Sequence, residues 1–219
     1  MDINEKCQRL HSLFNKMKLH NFTKYDIDNL GFNNGIYIIF EEGETAHNEK
    51  RIVRVGTHSK PNNLLNRLNT HRQNSGSSVF RRKIGCAILN RNNPNDKDID
   101  LWYNKRRKGI DKQKLQNFRN NVTQHITQKM KFVAFEINGT SKEEKGTLFW
   151  EAKIIATIAK CSDCSSSENW LGHYLPEQYA PLRIAKNNGL WVTNEVDSDV
   201  LNDLELKELK NLVEKSTKS

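Results

Sequence analysis

Two short runs set the limits on what this chain can fold into: Gly35-Ile36-Tyr37-Ile38-Ile39-Phe40 and Arg51-Ile52-Val53-Arg54-Val55-Gly56. Both are rich in β-branched and aromatic residues, and the ten residues between them carry four glutamates and Gly43. That pattern predicts two antiparallel strands joined by an exposed connection over 41–50. A third run, Lys131 to Ile137, ends at Asn138-Gly139 and adds a third strand. Apolar residues at helical spacing predict helices over 3–20 (Leu10, Leu13, Phe14, Met17), 61–73 (opened by Pro61), 102–131 (Leu115, Phe118, Val122, Ile126), 143–160 and 199–215. A short helix is expected near Tyr179 to Lys186. Segments 74–83, 90–100 and 161–168 read as loops. The fold class is therefore α+β, a small three-stranded antiparallel sheet flanked by helices. An N-terminal helix over 1–30, a basic helical insertion over 90–130 and a C-terminal extension over 171–219 complete it. No repeat or linker divides the 219 residues, so they read as one domain.

Charge is unevenly spread. Arg51 to Lys131 hold 19 Lys/Arg against 4 Asp/Glu, whereas the remainder holds 16 against 22. From Arg51 to Arg91 there are nine basic residues and no acidic one. A solvated surface mixes both signs, so this run points to a polyanion, with Arg72, Arg81, Arg82, Lys83, Lys105, Arg106, Arg107 and Lys108 as the contacts. Trp102 and Tyr103 beside the last four suit stacking as well as phosphate binding. No run approaches the ~18 apolar residues of a membrane span, and charges interrupt the N-terminal apolar positions. The expectation is a cytoplasmic protein with no membrane partner.

Three positions stand out chemically. Arg67 and His71 are four apart and share one shoulder of a helix. On the helix over 143–160, Lys142, Gly146, Lys153, Thr157 and Lys160 make a polar stripe. Glu151 lies about 160° around the wheel from Lys153, among Thr147, Ile154, Ile155 and Ile158. An inward carboxylate costs several kcal/mol unless a cation meets it, either a metal or an arginine. Cys161 and Cys164 form a lone CxxC with no second pair at zinc spacing, and read as ordinary thiols. A metal or redox role, with His173 nearby, is the alternative.

With Gly35-Ile36-Tyr37, then Arg54-Val55-Gly56, then Arg67 with His71, then Glu151 and Asn169 in this order, the chain resembles the GIY-YIG nuclease superfamily across residues 33–170. The second motif departs from the family, with arginine where tyrosine is usual. Val53 to His58, Ser78-Val79-Phe80-Arg81, Asn169-Trp170-Leu171-Gly172 and Gly189-Leu190-Trp191 look like a bacterial and phage subgroup in which arginine at position 54 would be the norm.

The resemblance implies a metal-dependent DNA endonuclease, restriction-like or defence-associated, that hydrolyses phosphodiesters. Glu151 would bind one Mg²⁺ or Mn²⁺, and Tyr37 would take a proton from the attacking water. A free phenol ionises only near pH ~10, so that role requires help from metal and cations. Arg67 would clamp phosphate, His71 would hydrogen-bond or shuttle a proton, and Asn169 would orient Glu151 or a phosphate. Arg54 cannot accept a proton. It would act as a second phosphate cation if it faces the site, with His58 as proton acceptor, whereas a one-residue shift of register would turn it to solvent. Double-strand cleavage would imply a homodimer or sequential nicking. The competing reading is a non-catalytic nucleic-acid-binding module on the same fold.

Overall fold

The longest strand, β2 (Gly35–Ala46), pairs antiparallel with β3 (Glu49–Gly56) on one side and β4 (Met130–Glu136) on the other. This computed structural model describes residues 1–73, 78–94, 96–104, 107–179, 188–192 and 194–216. A two-residue strand, β1 (His20–Asn21), extends the expected three strands to four by pairing with β4, in the order β1-β4-β2-β3. Helices α1 (Ile3–Asn15), α7 (Thr147–Ala159) and α8 (Asp203–Ser216) cover one face. The other face carries α2 (Lys24–Asp28), α3 (Leu64–Arg72), α4 (Val79–Asn92), α5 (Asp98–Tyr103) and α6 (Lys112–Lys129). Alternation along β2 serves both layers: Ile36, Ile38 and Phe40 join the first core, Tyr37 and Ile39 the second.

One break in that alternation lies next to the chemistry. Ile39 pairs with Arg54 and Phe40 with Ile52, leaving Val53 as an extra residue. A bulge sets two residues opposite one and re-aims a side chain. Val53 accordingly packs with Tyr37 and Ile39, Val55 returns to the opposite core with Ile52, and Arg54 reaches the phenol of Tyr37. Strict alternation would have sent Val53 and Arg54 to opposite faces.

A second irregularity leaves Glu41 to Glu44 facing only Arg51, and it overturns the exposed connection expected over 41–50. Strand pairing continues to Ala46 and Glu49, and the turn is only His47-Asn48. Glu41 and Glu44 are buried. Glu41 accepts from the indole Nε1 of Trp170 (2.9 Å) and Trp191 (3.0 Å) and lies 2.8 Å from His125 Nε2. Burial alone would raise its carboxyl; these partners outweigh it and hold it below the usual range. Glu44 pairs with the fully buried Arg51, which also donates to the carbonyls of Asn188 (2.7 Å) and Gly189 (3.0 Å).

Edge strand β3 is covered rather than bare. Asn15 exchanges hydrogen bonds with the backbone of Lys50, Ile52 N–H donates to His11, and Trp191 N–H donates to the Val53 carbonyl at 2.7 Å. The expected polar stripe of the 143–160 helix is likewise covered. Lys153 pairs with Glu205, Thr157 Oγ1 accepts from Leu201 N–H, and Lys160 donates to the Ser198 carbonyl. Polar residues that looked solvated are the contacts that seat the C-terminal segment.

Other boundaries move as well. The helix expected from Pro61 starts at Leu64, and the loop expected over 74–83 contains the start of α4, capped by Ser78. The helix expected over 102–131 divides into α5, a short 3-10 turn and α6. Asp98, Ile99 and Trp102 are buried; the Trp102 indole donates to the Arg82 carbonyl, so it packs inside and does not stack on a ligand. Most of the short helix expected near 179–186 falls outside the described residues. Among those described, no helix is long and apolar enough to cross a membrane.

Replacing Glu41 by Ala strands two indole donors and His125 in the core. Urea denaturation of Glu41→Ala should show a loss of about 3–5 kcal/mol, with Glu41→Gln losing less because its amide oxygen still accepts. A loss below about 1 kcal/mol would mean that the indoles find other partners.

Candidate active site

The C-terminal end of β3 opens into a cleft of about 420 Å³ where α3, α4, α7 and the Trp191 segment meet. Among the described residues its walls carry Arg54, Arg67 and Lys83 as cations and Glu151 as the one carboxylate. Thr57, His58, Asn63, Tyr103, Trp191 and Asn194 also line it.

Arg54 is 8% exposed. Its guanidinium donates to the Trp191 carbonyl (2.7 Å), reaches the Tyr37 hydroxyl with Nε (3.3 Å) and lies 4.8 Å from the Phe80 ring centroid. It points into the site, and the solvent-facing alternative is excluded. Arg67 enters from α3. Its Nε is buried and has no hydrogen-bond partner among the described residues. A guanidinium left with an open donor beside a cleft is suited to an anion that arrives from solution.

Lys83 is buried on α4, and burial with the nearby Arg54 lowers its ammonium to about 8. Glu151 accepts from Thr57 N–H at 3.1 Å. Burial raises its carboxyl above the usual range, while Arg54, the Thr57 N–H and Arg67 pull the other way. A partly desolvated carboxylate in a polar cleft is the kind of oxygen ligand Mg²⁺ takes, since that ion keeps several waters and needs only one or two carboxylates beside substrate phosphates. The donor set fits such an ion.

Behind the cations lies a second layer. Tyr37 is fully buried, and its hydroxyl is 2.8 Å from His71 Nε2. His71 Nδ1 is 2.9 Å from Ser78 Oγ, which also accepts from Arg81 N–H as the cap of α4. Burial, then Arg54, Arg67 and Arg81, hold the His71 imidazole well below its ordinary range, so it is neutral at pH 7. Gly56 makes room for this arrangement: a Cβ there would meet the Tyr37 hydroxyl at 2.2 Å. Tyr37 and His71 do not line the cleft; Arg54 stands between the phenol and the opening.

The residues expected from sequence thus sort into groups. Tyr37, His71, Arg54, Arg67 and Glu151 come together. His58 lines the wall, but its Nδ1 bonds the Lys60 carbonyl and its Nε2 accepts from Gly35 N–H at 3.3 Å, while burial holds it below its usual range. Both nitrogens serve the backbone, so it ties the 57–60 turn to β2. Asn169 is exposed and not part of the cleft, whose asparagines are Asn63 and Asn194.

The expected polyanion contacts divide too. Arg81 is buried and donates to the His71 carbonyl (2.9 Å) and to Thr123 Oγ1 (2.8 Å), closing the end of α3 rather than facing a ligand. Lys83 faces the cleft, not an outer surface. Arg82 packs over Tyr103 and Arg72 bonds Asn69, whereas Lys108 is exposed. Lys105, Arg106 and the side chain of Arg107 lie outside the described residues. An acid-free sequence run is therefore not a surface patch, since Arg51, Arg54, Arg81 and Lys83 all turn inward. Asn63 and Asn194 had no signal of their own; Tyr103, expected to stack on a ligand, lines the cleft, Thr57 lay inside the Val53–His58 motif, and Gly189-Leu190-Trp191 was visible as a motif without a place.

A family model described as a GIY-YIG domain matches residues 2–219. No curated protein and no solved structure matches the chain.

The depressed Lys83 ammonium makes stability pH-dependent. Between about pH 8 and 10.5 the unfolded chain holds the proton that the folded one has lost, so the burden is full below 8 and fades as pH rises. Lys83→Met should therefore be the more stable form at pH 7, by up to about 3 kcal/mol. Urea titrations should show the gap closing toward pH 10. A gap that is constant with pH would contradict the shift.

Proposed function

Because the chain belongs to the GIY-YIG domain family, a family of nucleases, we propose that it is a metal-dependent endonuclease that hydrolyses DNA phosphodiesters. The observation that carries this reading is the cleft itself: among the described residues three cations, one of them with an open buried donor, face a single desolvated carboxylate. Arg54, Arg67 and Lys83 bind and orient the phosphodiester, with the guanidinium forks supplying paired donors. Glu151 holds the divalent cation, Mg²⁺ or Mn²⁺, which when bound supplies Lewis-acid polarisation of the scissile phosphate and neutralises charge on the leaving oxygen.

Tyr37 is the proton acceptor for the attacking water. With the His71 proton on Nδ1, toward Ser78, the Nε2 lone pair takes the phenol's hydrogen bond. The phenol oxygen then turns its free side toward Arg54 and the cleft. Substrate must draw Arg54 off the phenol for water to reach it; the 3.3 Å contact is the weaker of its two hydrogen bonds. Phosphate charge beside Arg54 and Arg67 also eases proton transfer toward His71, which burial among arginines otherwise opposes. A restriction-like or phage/defence role in the cytoplasm fits, with the exposed Lys108 region extending contact along DNA.

One observation favours a second reading, a non-catalytic nucleic-acid-binding module: the phenol is sealed behind Arg54. Plasmid nicking separates the two. With Mg²⁺ the full chain should cut, Glu151→Ala should not, and Tyr37→Phe should be slower by about 10²-fold or more. Salt-dependent DNA binding with no cleavage under Mg²⁺ or Mn²⁺ establishes the binding module instead. Equal cutting by Glu151→Ala rules out the site assignment.

A further inference from the structure

A separate cluster sits at the tip of the β2–β3 hairpin, against α1 and the end of α7. Cys7 comes from α1, His47 from the hairpin turn, and Cys161 and Cys164 from the turn after α7. One donor atom from each of Cys7, His11, His47 and Cys164 lies within 4.8 Å of all the others. Cys161 is not in that mutually close set but borders it, with its Sγ 3.5 Å from His47 Nε2. The three thiols are buried, and all four cysteines of the chain are free.

We propose that Cys7, His47, Cys161 and Cys164 form a structural Zn²⁺ site, independent of the cleft. Three thiolates and one imidazole are a common closed tetrahedral set for zinc, and a C-x2-C pair commonly supplies two of its ligands. Soft sulfur donors select this ion over Mg²⁺, which takes oxygen.

His11 is near but already committed. Its Nδ1 lies 2.9 Å from the Cys7 carbonyl and its Nε2 lies 3.2 Å from Ile52 N. With the proton on Nδ1 it donates to the carbonyl, and its lone pair takes the Ile52 N–H. Ligation through Nε2 would orphan that buried N–H. His47 has the opposite character. It occupies the first of two left-handed positions in the turn (φ 53, then 60 for Asn48), where Asn-Gly is the ordinary pair. A non-glycine residue held there with its ring among thiols is the kind of outlier that a ligand role explains.

Binding takes all three as thiolates, so any thiol still protonated gives its proton to solvent. The ion would join α1, the hairpin tip and the C-terminal end of α7, the helix that carries Glu151. His173, the neighbour in sequence, bonds the Ser167 carbonyl instead and stays outside the cluster.

The test uses the full chain, purified without chelator from zinc-supplemented cells. Elemental mass spectrometry should find one zinc per chain. X-ray absorption should show three sulfurs at about 2.3 Å and one nitrogen at about 2.0–2.1 Å. Cys161→Ser and His47→Ala should lose the metal, and His173→Ala should keep it. No zinc in the parent protein, with none taken up on titration, overturns the proposal. So does a shell of two sulfurs and two nitrogens, which would put His11 in place of Cys161, or a Cys161–Cys164 disulfide in the fresh protein. The absorption measurement is made on the parent chain, so a variant that fails to fold does not decide it.

Discussion

The pairing of Arg54 with Ile39, fastened by Trp191, is what the rest of the site depends on. The register that sets Gly56 opposite Tyr37 also sets Arg54 opposite Ile39, on the face of Tyr37; the bulge brings Val53 to that face as well, and the Trp191 carbonyl holds the Arg54 guanidinium there. The Trp191 N–H donates to the Val53 carbonyl that the edge strand leaves free, and the Trp191 carbonyl accepts from the Arg54 guanidinium. The Trp191 indole ends on Glu41, the buried carboxylate of the neighbouring strand. A single residue late in the chain thus covers a sheet edge, fixes a cation and satisfies a buried charge.

The arginine has two effects at once. As a cation it lowers the cost of keeping Glu151 ionised, yet it raises the cost of protonating His71 and Lys83. A cleft with this balance is positive and partly dry, a condition that strengthens its attraction for phosphate. The same balance keeps the Tyr37 hydroxyl bonded to a neutral imidazole until an anion redistributes the charge. The opposite face has a different logic: at the hairpin tip thiols and imidazoles meet, and the described group of donors holds no carboxylate.

Much of this was legible in the sequence, for reasons that can be named. The strands were visible because β-branched runs alternate across a sheet with two buried faces. Glu151 stood out because a carboxylate among isoleucines has to be explained, and it does line the cleft. Tyr37, Arg67 and His71 were found by order and spacing. What stayed hidden was set by partners distant in the chain. Glu41 and Glu44 looked solvated because partners of theirs come from positions 170 and 191 for Glu41 and 167 for Glu44. The acid-free run suggested a surface patch because sequence does not reveal that Arg81 caps a helix end or that Arg51 lies in the core. Cys161 and Cys164 read as a lone pair because their companions, Cys7 and His47, are more than a hundred residues earlier. Asn169 had the right order and the wrong place.

The most direct measurement is the salt dependence of duplex DNA binding by two silenced proteins, Glu151→Gln and Glu151→Gln with Arg67→Gln. If the cleft holds phosphate through the open Arg67 donor, the second protein binds more weakly. The slope of log affinity against log salt then falls by about 0.9, the value for one phosphate contact. Equal affinity and equal slope in the two proteins would contradict a phosphate site in this cleft.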